Sequence, residues 1–213
     1  MARLGKAVRA TALAETRQRL LEAAATEFAS EGYVGANVNH ISQAAGFAKG
    51  TIYNYFPSKR GLMLALIDTI ASAHTEAMLQ QVELEQDPAR RLECFFRVGF
   101  AFVERHPAQA RVIVNAVYGH DAEIRQRVYQ AYERLLTMIA QDVVEAGVAR
   151  GDFQSLDPDL VTALIMTVYL GSCSQLDSNG KIWLDPGQVV AFILDGLRPR
   201  KCHSNPAQGL RWT

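Results

Sequence analysis

The chain has 213 residues, with 22 basic and 22 acidic side chains and a formal net charge of zero, so global charge does not announce a nucleic-acid partner. Its length suits one sizeable domain or two small ones. Three cysteines, Cys94, Cys173 and Cys202, are too sparse and too far apart for a disulfide framework or a metal-ligand cluster, and they point to a reducing cytoplasm.

The first twenty residues lack the apolar core of a signal peptide, and no apolar run is expected to span a membrane. Charge is unevenly placed. Residues 1–60 carry eight basic and four acidic side chains, a local excess of four positive charges that the rest of the chain offsets. A basic module attached to an acidic one suits DNA binding confined to one end.

Residues 1–12 hold Arg3, Lys6 and Arg9 among small residues. They read either as a solvated tail or as an arm that touches phosphates. A first helix is predicted from about Ala14 to Ser30, with Leu20, Leu21, Ala24, Ala25 and Phe28 as its apolar stripe and Glu31-Gly32 as its end. Phe28 is placed to pack on Ile41, Phe47, Ile52 and Phe56.

Asn37 can cap a second helix, whose apolar face is Val38, Ile41, Ala44 and Ala45 and whose end is Gly46. A third short helix is predicted from about Ala48 to Phe56, stopped by Pro57. Its outward residues Lys49, Thr51, Tyr53, Asn54 and Tyr55 are hydrogen-bond donors, and none is acidic. Gly50 costs helix stability, which is explicable if a bulky side chain there would block approach to a DNA backbone. Two short helices around a Gly turn suit a helix-turn-helix, but spacing alone also suits an ordinary helical hairpin with a solvated face.

The string from Ile41 to Lys59, Ile-Ser-Gln-Ala-Ala-Gly-Phe-Ala-Lys-Gly-Thr-Ile-Tyr-Asn-Tyr-Phe-Pro-Ser-Lys, resembles the signature of the TetR (TetR/AcrR) family of bacterial transcription regulators. The resemblance covers the N-terminal quarter. It implies that Asn39 and Lys49 reach bases and that Thr51, Tyr53, Tyr55 and Lys59 contact phosphates. His40 lies in the same motif and can approach DNA. Ala48 departs from the family pattern, where a Ser usually supplies a capping hydroxyl.

Ser58 can cap a long helix to about Gln86, with a seam of Leu62, Leu66, Thr69, Ile70, Ala73 and Ala77. Asp87-Pro88, Asp157-Pro158 and Asp185-Pro186 each pair a capping Asp with a Pro at the first helical position. They predict helices over 88–106, 158–176 and 186–197. The first is apolar on nearly every side and should be deeply buried. Pro107 begins a short helix to about Tyr118, and Asp121 caps a long one to about Ala149. Ser178-Asn179-Gly180 reads as a turn, and residues 199–213 as a loose tail.

The expected architecture is all-α. A helix-turn-helix DNA-binding domain with its arm spans residues 1–57, and a helical regulatory and dimerisation domain spans 58–198. No catalytic motif, metal-ligand spacing or cofactor loop is present in the sequence, and the scattered histidines His74, His106, His120 and His203 read as surface or capping residues. Small residues at Ala163, Gly171 and Ser172 would let a partner helix approach, giving a homodimer through the last two helices, although a monomer could bury the same surface internally.

Phe96, Phe100, Asn115, Tyr118, Tyr132 and Tyr169 can line an apolar cavity with a few polar groups. Composition alone favours a filled aromatic core with hydrogen-bonded tyrosines. The family resemblance implies the pocket, a small apolar effector and a palindromic double-stranded DNA operator, hence a ligand-responsive repressor. The alternative is an architectural or dimerising DNA-binding protein without a ligand.

Overall fold

Six side-chain caps set where most of the helices begin. In the computed structural model, which describes residues 2–177 and 179–199 with side chains from residue 8 onward, Asn37, Ser58, Asp87, Asp121, Asp157 and Asp185 each accept a hydrogen bond from a first-turn amide. Each satisfies an amide that the helix leaves without a partner. The three Asp-Pro pairs all start helices, as their chemistry predicts.

The helices are α1 (Ala2–Gly35), α2 (Val38–Ala44), α3 (Lys59–Val82), α4 (Pro88–Arg105), α5 (Pro107–Tyr118), α6 (Ala122–Ala131), α7 (Glu133–Met138), α8 (Ala146–Ala149), α9 (Pro158–Cys173) and α10 (Pro186–Leu197). A 3₁₀ turn covers Thr51–Asn54, and a π-helical stretch, Ile139–Glu145, joins α7 to α8. Among the described residues there is no strand, only an isolated antiparallel bridge between Leu176 and Ile182 around the Asn179-Gly180 turn. Ser178 and residues 200–213, with Cys202 and His203, lie outside the described residues.

Four expectations need correction. Helix α1 begins at Ala2, not near Ala14, so residues 2–12 are a helical arm. Ala2, Ala7, Ala10, Ala12 and Ala14 favour the helix, and the first interruption is Gly32 at φ 68°. The helix expected over 122–149 is broken. Tyr132 leaves helical geometry (φ −101°, ψ 6°), and the π stretch follows. Along α3 the buried series is Leu62, Leu66, Ile70, His74, Met78 and Val82 with its neighbours, while Ala73 is exposed and Thr69 and Ala77 are half-buried. Finally, α3 does have the length and mean hydropathy (1.3) of a membrane span, but 56% of that window is buried inside the protein, as in a core helix.

Two bodies of core meet along α3. Phe28, Ile41, Ile52 and Phe56 are buried together, with Phe47 packed on them, in the N-terminal module. Helix α4 is the deepest element of the second body, with Leu92, Phe95 and Phe96 fully buried. It packs between α3 and α10, while α3 also packs on α6, and α1 reaches across to α5. The DNA-binding module therefore leans on the larger helical body through both α1 and α3.

Candidate nucleic-acid interface and interior cavity

The helix-turn-helix is built from α1 outward. Arg19 of α1 donates through Nη2 to the Ala45 carbonyl at 2.7 Å and lies 4.8 Å from the Phe47 ring centroid. A cation thus satisfies the C-terminal end of α2. Gly46 turns the chain at φ 81°, and a Cβ there would sit 2.8 Å from the same guanidinium nitrogen. Arg19 consequently serves the fold, although its charge counts toward the basic N-terminal excess.

The expected recognition helix over 48–56 is reduced to the 3₁₀ turn Thr51–Asn54. Gly50 precedes it in the left-handed region at φ 86° with no side-chain cap. Ala48 offers no hydroxyl to nucleate an earlier start, so the helix begins after the glycine. The Ser42 hydroxyl accepts from the Ile52 amide at 3.3 Å and ties the turn to α2.

Of the proposed DNA contacts, Asn39, Lys49, Tyr53 and Asn54 are exposed, while Gly50, Thr51, Tyr55 and Lys59 are half-buried. Lys59 has a structural partner: its ammonium donates to the Val34 carbonyl at 2.8 Å and lies 5.3 Å from the Tyr33 ring centroid. His40 is exposed and 3.9 Å from the Glu27 carboxylate, which also accepts from the Asn37 amide.

Three contacts then run from this end along α3 to α6 and Tyr132. Arg60 donates to Asp121 at 2.8 Å and also bonds Glu123. Asp121 is the cap of α6, and its carboxyl is held below the usual range by the Ile124 amide and by the Arg60 charge. Two turns on, Arg127 makes a two-pronged bond to Asp68, at 2.7 and 2.6 Å. Then His74 Nδ1 lies 3.1 Å from the Tyr132 hydroxyl.

That last contact sits on an interior cavity of about 70 Å³, lined mainly by apolar groups from α3 to α7 and from α9, including Ile70, Val114, Val128, Met166 and Leu170. Its polar members are His74, Tyr129, Tyr132, Tyr169 and Cys173. His74 Nε2 is 3.1 Å from the Tyr169 hydroxyl, so each ring nitrogen faces one tyrosine. The imidazole also stacks on Phe102 at 4.4 Å. Burial, with a smaller push from His106, lowers its pKa to about 4, so it is neutral. Burial likewise raises both tyrosine hydroxyls and lifts the Cys173 thiol to about 12.

The sequence-predicted cavity residues divide. Tyr132 and Tyr169 line the cavity. Phe96 stands behind Tyr169, with ring centroids 5.6 Å apart, and Phe100 lies beside Ile182 and Pro186. Asn115 and Tyr118 are exposed on a separate groove between α1 and α5. His74 is the correction of most consequence: it was expected at the surface and is 6% exposed. Its signal was present, because 74 continues the four-residue series 62, 66, 70 of the α3 core face. Among the described residues no group of three His, Cys, Asp or Glu side chains converges on a metal-sized site.

The model of bacterial regulatory proteins of the tetR family matches residues 20–66, and that of the tetracyclin repressor-like C-terminal domain matches residues 85–182. The chain belongs to the TetR family. It is accordingly a DNA-binding transcriptional regulator, with the helix-turn-helix in the first match and the cavity mostly within the second.

Relatives of this TetR-family chain include the nucleoid occlusion factor SlmA of Aliivibrio fischeri, 25% identical over 158 residues that cover 73% of this chain and 81% of the relative. SlmA of Vibrio cholerae is 24% identical over 161 residues, covering 75% and 82%. Among solved structures, the fatty acid degradation regulator FadR from Bacillus halodurans superposes with a TM-score of 0.75 at 22% identity, covering 87% of this chain and 97% of its own. AibR, solved with isovaleryl coenzyme A and operator DNA, gives 0.72 at 19% identity, covering 86% and 98%. At these identities the structural likeness speaks for the fold.

Proposed function

We propose that the protein is a homodimeric repressor that leaves a palindromic operator when a small, mainly apolar effector fills the interior cavity. The observation that carries this reading is the line of contacts Arg60–Asp121, Asp68–Arg127 and His74–Tyr132, which runs from the recognition end of α3 to the cavity wall. An effector that moves Tyr132 or His74 acts on the same two helices that carry the ion pairs. Asn39 and Lys49 are the proposed base readers, and Gly50, Thr51, Tyr53, Asn54, Tyr55 and Lys59 the backbone contacts.

The solved relatives of this fold include a regulator bound to an acyl-coenzyme A and operator DNA, which supports effector response as the mode of control. A cavity of about 70 Å³ is well below the roughly 300–1,000 Å³ of typical ligand pockets. It favours a compact effector over a coenzyme A thioester. An open groove shares Val117, Tyr129, Leu136, Met166 and Leu170 with the cavity, so the same side chains wall both.

Selection of binding sites from random DNA, followed by calorimetry of the effector with and without the selected operator, tests the reading. Coupling of about 1–3 kcal/mol is expected, with operator and effector each weakening the other by the same factor. Equal effector affinity in both titrations would leave the second reading, a ligand-independent DNA-organising protein. That alternative draws its support from the nucleoid occlusion factors among the relatives.

A further inference from the structure

The cavity wall holds a hydrogen-bonded chain of three groups: Tyr132, His74 and Tyr169. A neutral imidazole has one N–H and one bare nitrogen. Only two orderings therefore satisfy both links. In the first, the Tyr132 hydroxyl donates to Nδ1 and Nε2–H donates to the Tyr169 oxygen. In the second, both links reverse: Tyr169 donates to Nε2, and Nδ1–H to Tyr132. Both hold three protons, one on each hydroxyl and one on the ring. The first leaves the Tyr132 oxygen free to accept on the cavity side, and the second leaves its O–H free to donate there.

We propose that the cavity recognises a compact, uncharged molecule by a single oxygen function at the Tyr132 hydroxyl, and that His74 changes tautomer according to whether that oxygen donates or accepts. This deepens the effector reading and rests on it. An alcohol donates to the Tyr132 oxygen and extends the first ordering by one link. A ketone or ester accepts from Tyr132 and selects the second ordering, with the ring proton on Nδ1. Tyr169 is less suited as the reader, since its hydroxyl serves His74 and crowds Gly99, where a Cβ would lie 2.4 Å from it.

Charge and size narrow the class. No Lys, Arg, Asp or Glu lines the cavity, so an ionised ligand would be buried without a partner. The volume of about 70 Å³ is roughly half that of a cavity that holds benzene, so it suits a molecule smaller than a six-membered ring.

Four probes test this on the full-length protein: 2-propanol, acetone, propane and acetate, each titrated at pH 7 while the ¹⁵N-histidine spectrum is recorded. The two oxygen probes should bind about fivefold to tenfold tighter than propane, the worth of one hydrogen bond. The carboxylate should not bind. The ketone should put the His74 ring proton on Nδ1, and the alcohol should put it on Nε2. Tyr132→Phe should keep propane binding and lose the preference for oxygen. If propane binds as tightly as the alcohol, or if His74 is blind to which oxygen is bound, oxygen recognition is wrong while an effector cavity stands. If none of the four binds, both readings fall. The wild-type spectrum decides the matter even should Tyr132→Phe fail to fold.

Discussion

Arg60 and Asp121 join the DNA-facing end of the long helix to the cap of α6 across 2.8 Å. Arg60 follows Lys59 directly, and Asp121 orients the helix that ends at Tyr132 on the cavity wall. Both groups are partly exposed, so the pair matters less for stability than for geometry. Arg60→Ala should therefore leave effector binding close to wild type and shrink the effector's influence on the operator several-fold. Fluorescence anisotropy of operator DNA, titrated with effector, measures that coupling. An unchanged coupling would place the relay elsewhere, through α1 and α5.

Gly99 faces Tyr169 so closely that a Cβ would meet its hydroxyl oxygen and two ring carbons at 2.4 to 2.9 Å. In an open helix Gly→Ala would stabilise by about 1 kcal/mol. Here the methyl must displace a fully packed tyrosine from its bond to His74, an overpacking cost of about 1–3 kcal/mol. Gly99→Ala should be neutral to destabilising by urea unfolding, and it should disturb the ¹⁵N signals of His74. Net stabilisation with an unaltered spectrum would show that Tyr169 is not held as described.

Acid should find His74 before it finds most of the fold. Its pKa is about 4 in the folded protein against 6.5 unfolded. Between those values the unfolded chain holds the extra proton, so stability falls as pH drops from 6.5 toward 4 and is flat above 6.5 for this group. The full loss is on the order of 3 kcal/mol. Urea denaturation at pH 7.5 and 4.5, compared between wild type and His74→Gln, isolates the effect from that of carboxylates. Parallel pH dependence of the two proteins would mean that His74 is not a buried neutral group.

What the sequence shows of these sites follows from the range of the interactions involved. Caps are local, and every Asp-Pro start was legible because the cap and its amide lie within three residues. The turn at Gly46 was legible for the same reason. The shortening of the recognition helix turned on a missing hydroxyl at Ala48, whose absence was visible but whose weight against Gly50 was not. Long-range pairings were not legible. His74 meets Tyr132 and Tyr169 across 58 and 95 residues, and no local pattern encodes a partner so distant. Phe96 and Phe100 were chosen for aromatic character, yet helical phase turns them toward Tyr169's far side and the Ile182 loop.

The exposed donors at and just before the 3₁₀ turn separate by role. Lys49→Ala should alter which operator sequence is preferred, whereas Tyr53→Phe should weaken all sequences alike and flatten the salt dependence. Lys59 now has two roles to separate, since its ammonium also holds the Val34 carbonyl. Lys59→Met should weaken every sequence and also loosen the end of α1, seen as faster amide exchange at residues 33–36. Operator selection repeated with each variant is the measurement. Unchanged specificity in Lys49→Ala would remove it as a base reader.

The last two helices carry the apolar surface that a second copy would cover. Leu160 and Leu164 on α9 are 56% and 57% exposed, and Phe192 on α10 is 78% exposed. Ala163 and Gly171 lie along the same side of α9 and admit a close helix approach. A two-fold axis between these faces would pair α9 and α10 with their copies in a four-helix contact. Such a dimer is expected to read a palindrome whose half-sites lie roughly 34–36 Å apart. Phe192→Glu with Leu164→Glu puts like charges on both helices without touching the core, so helical content should stay constant. Sedimentation should then report a monomer, and affinity for a palindrome should fall to that for a single half-site. A double variant that stays dimeric, or that binds the palindrome as before, would show that the copies meet through another face.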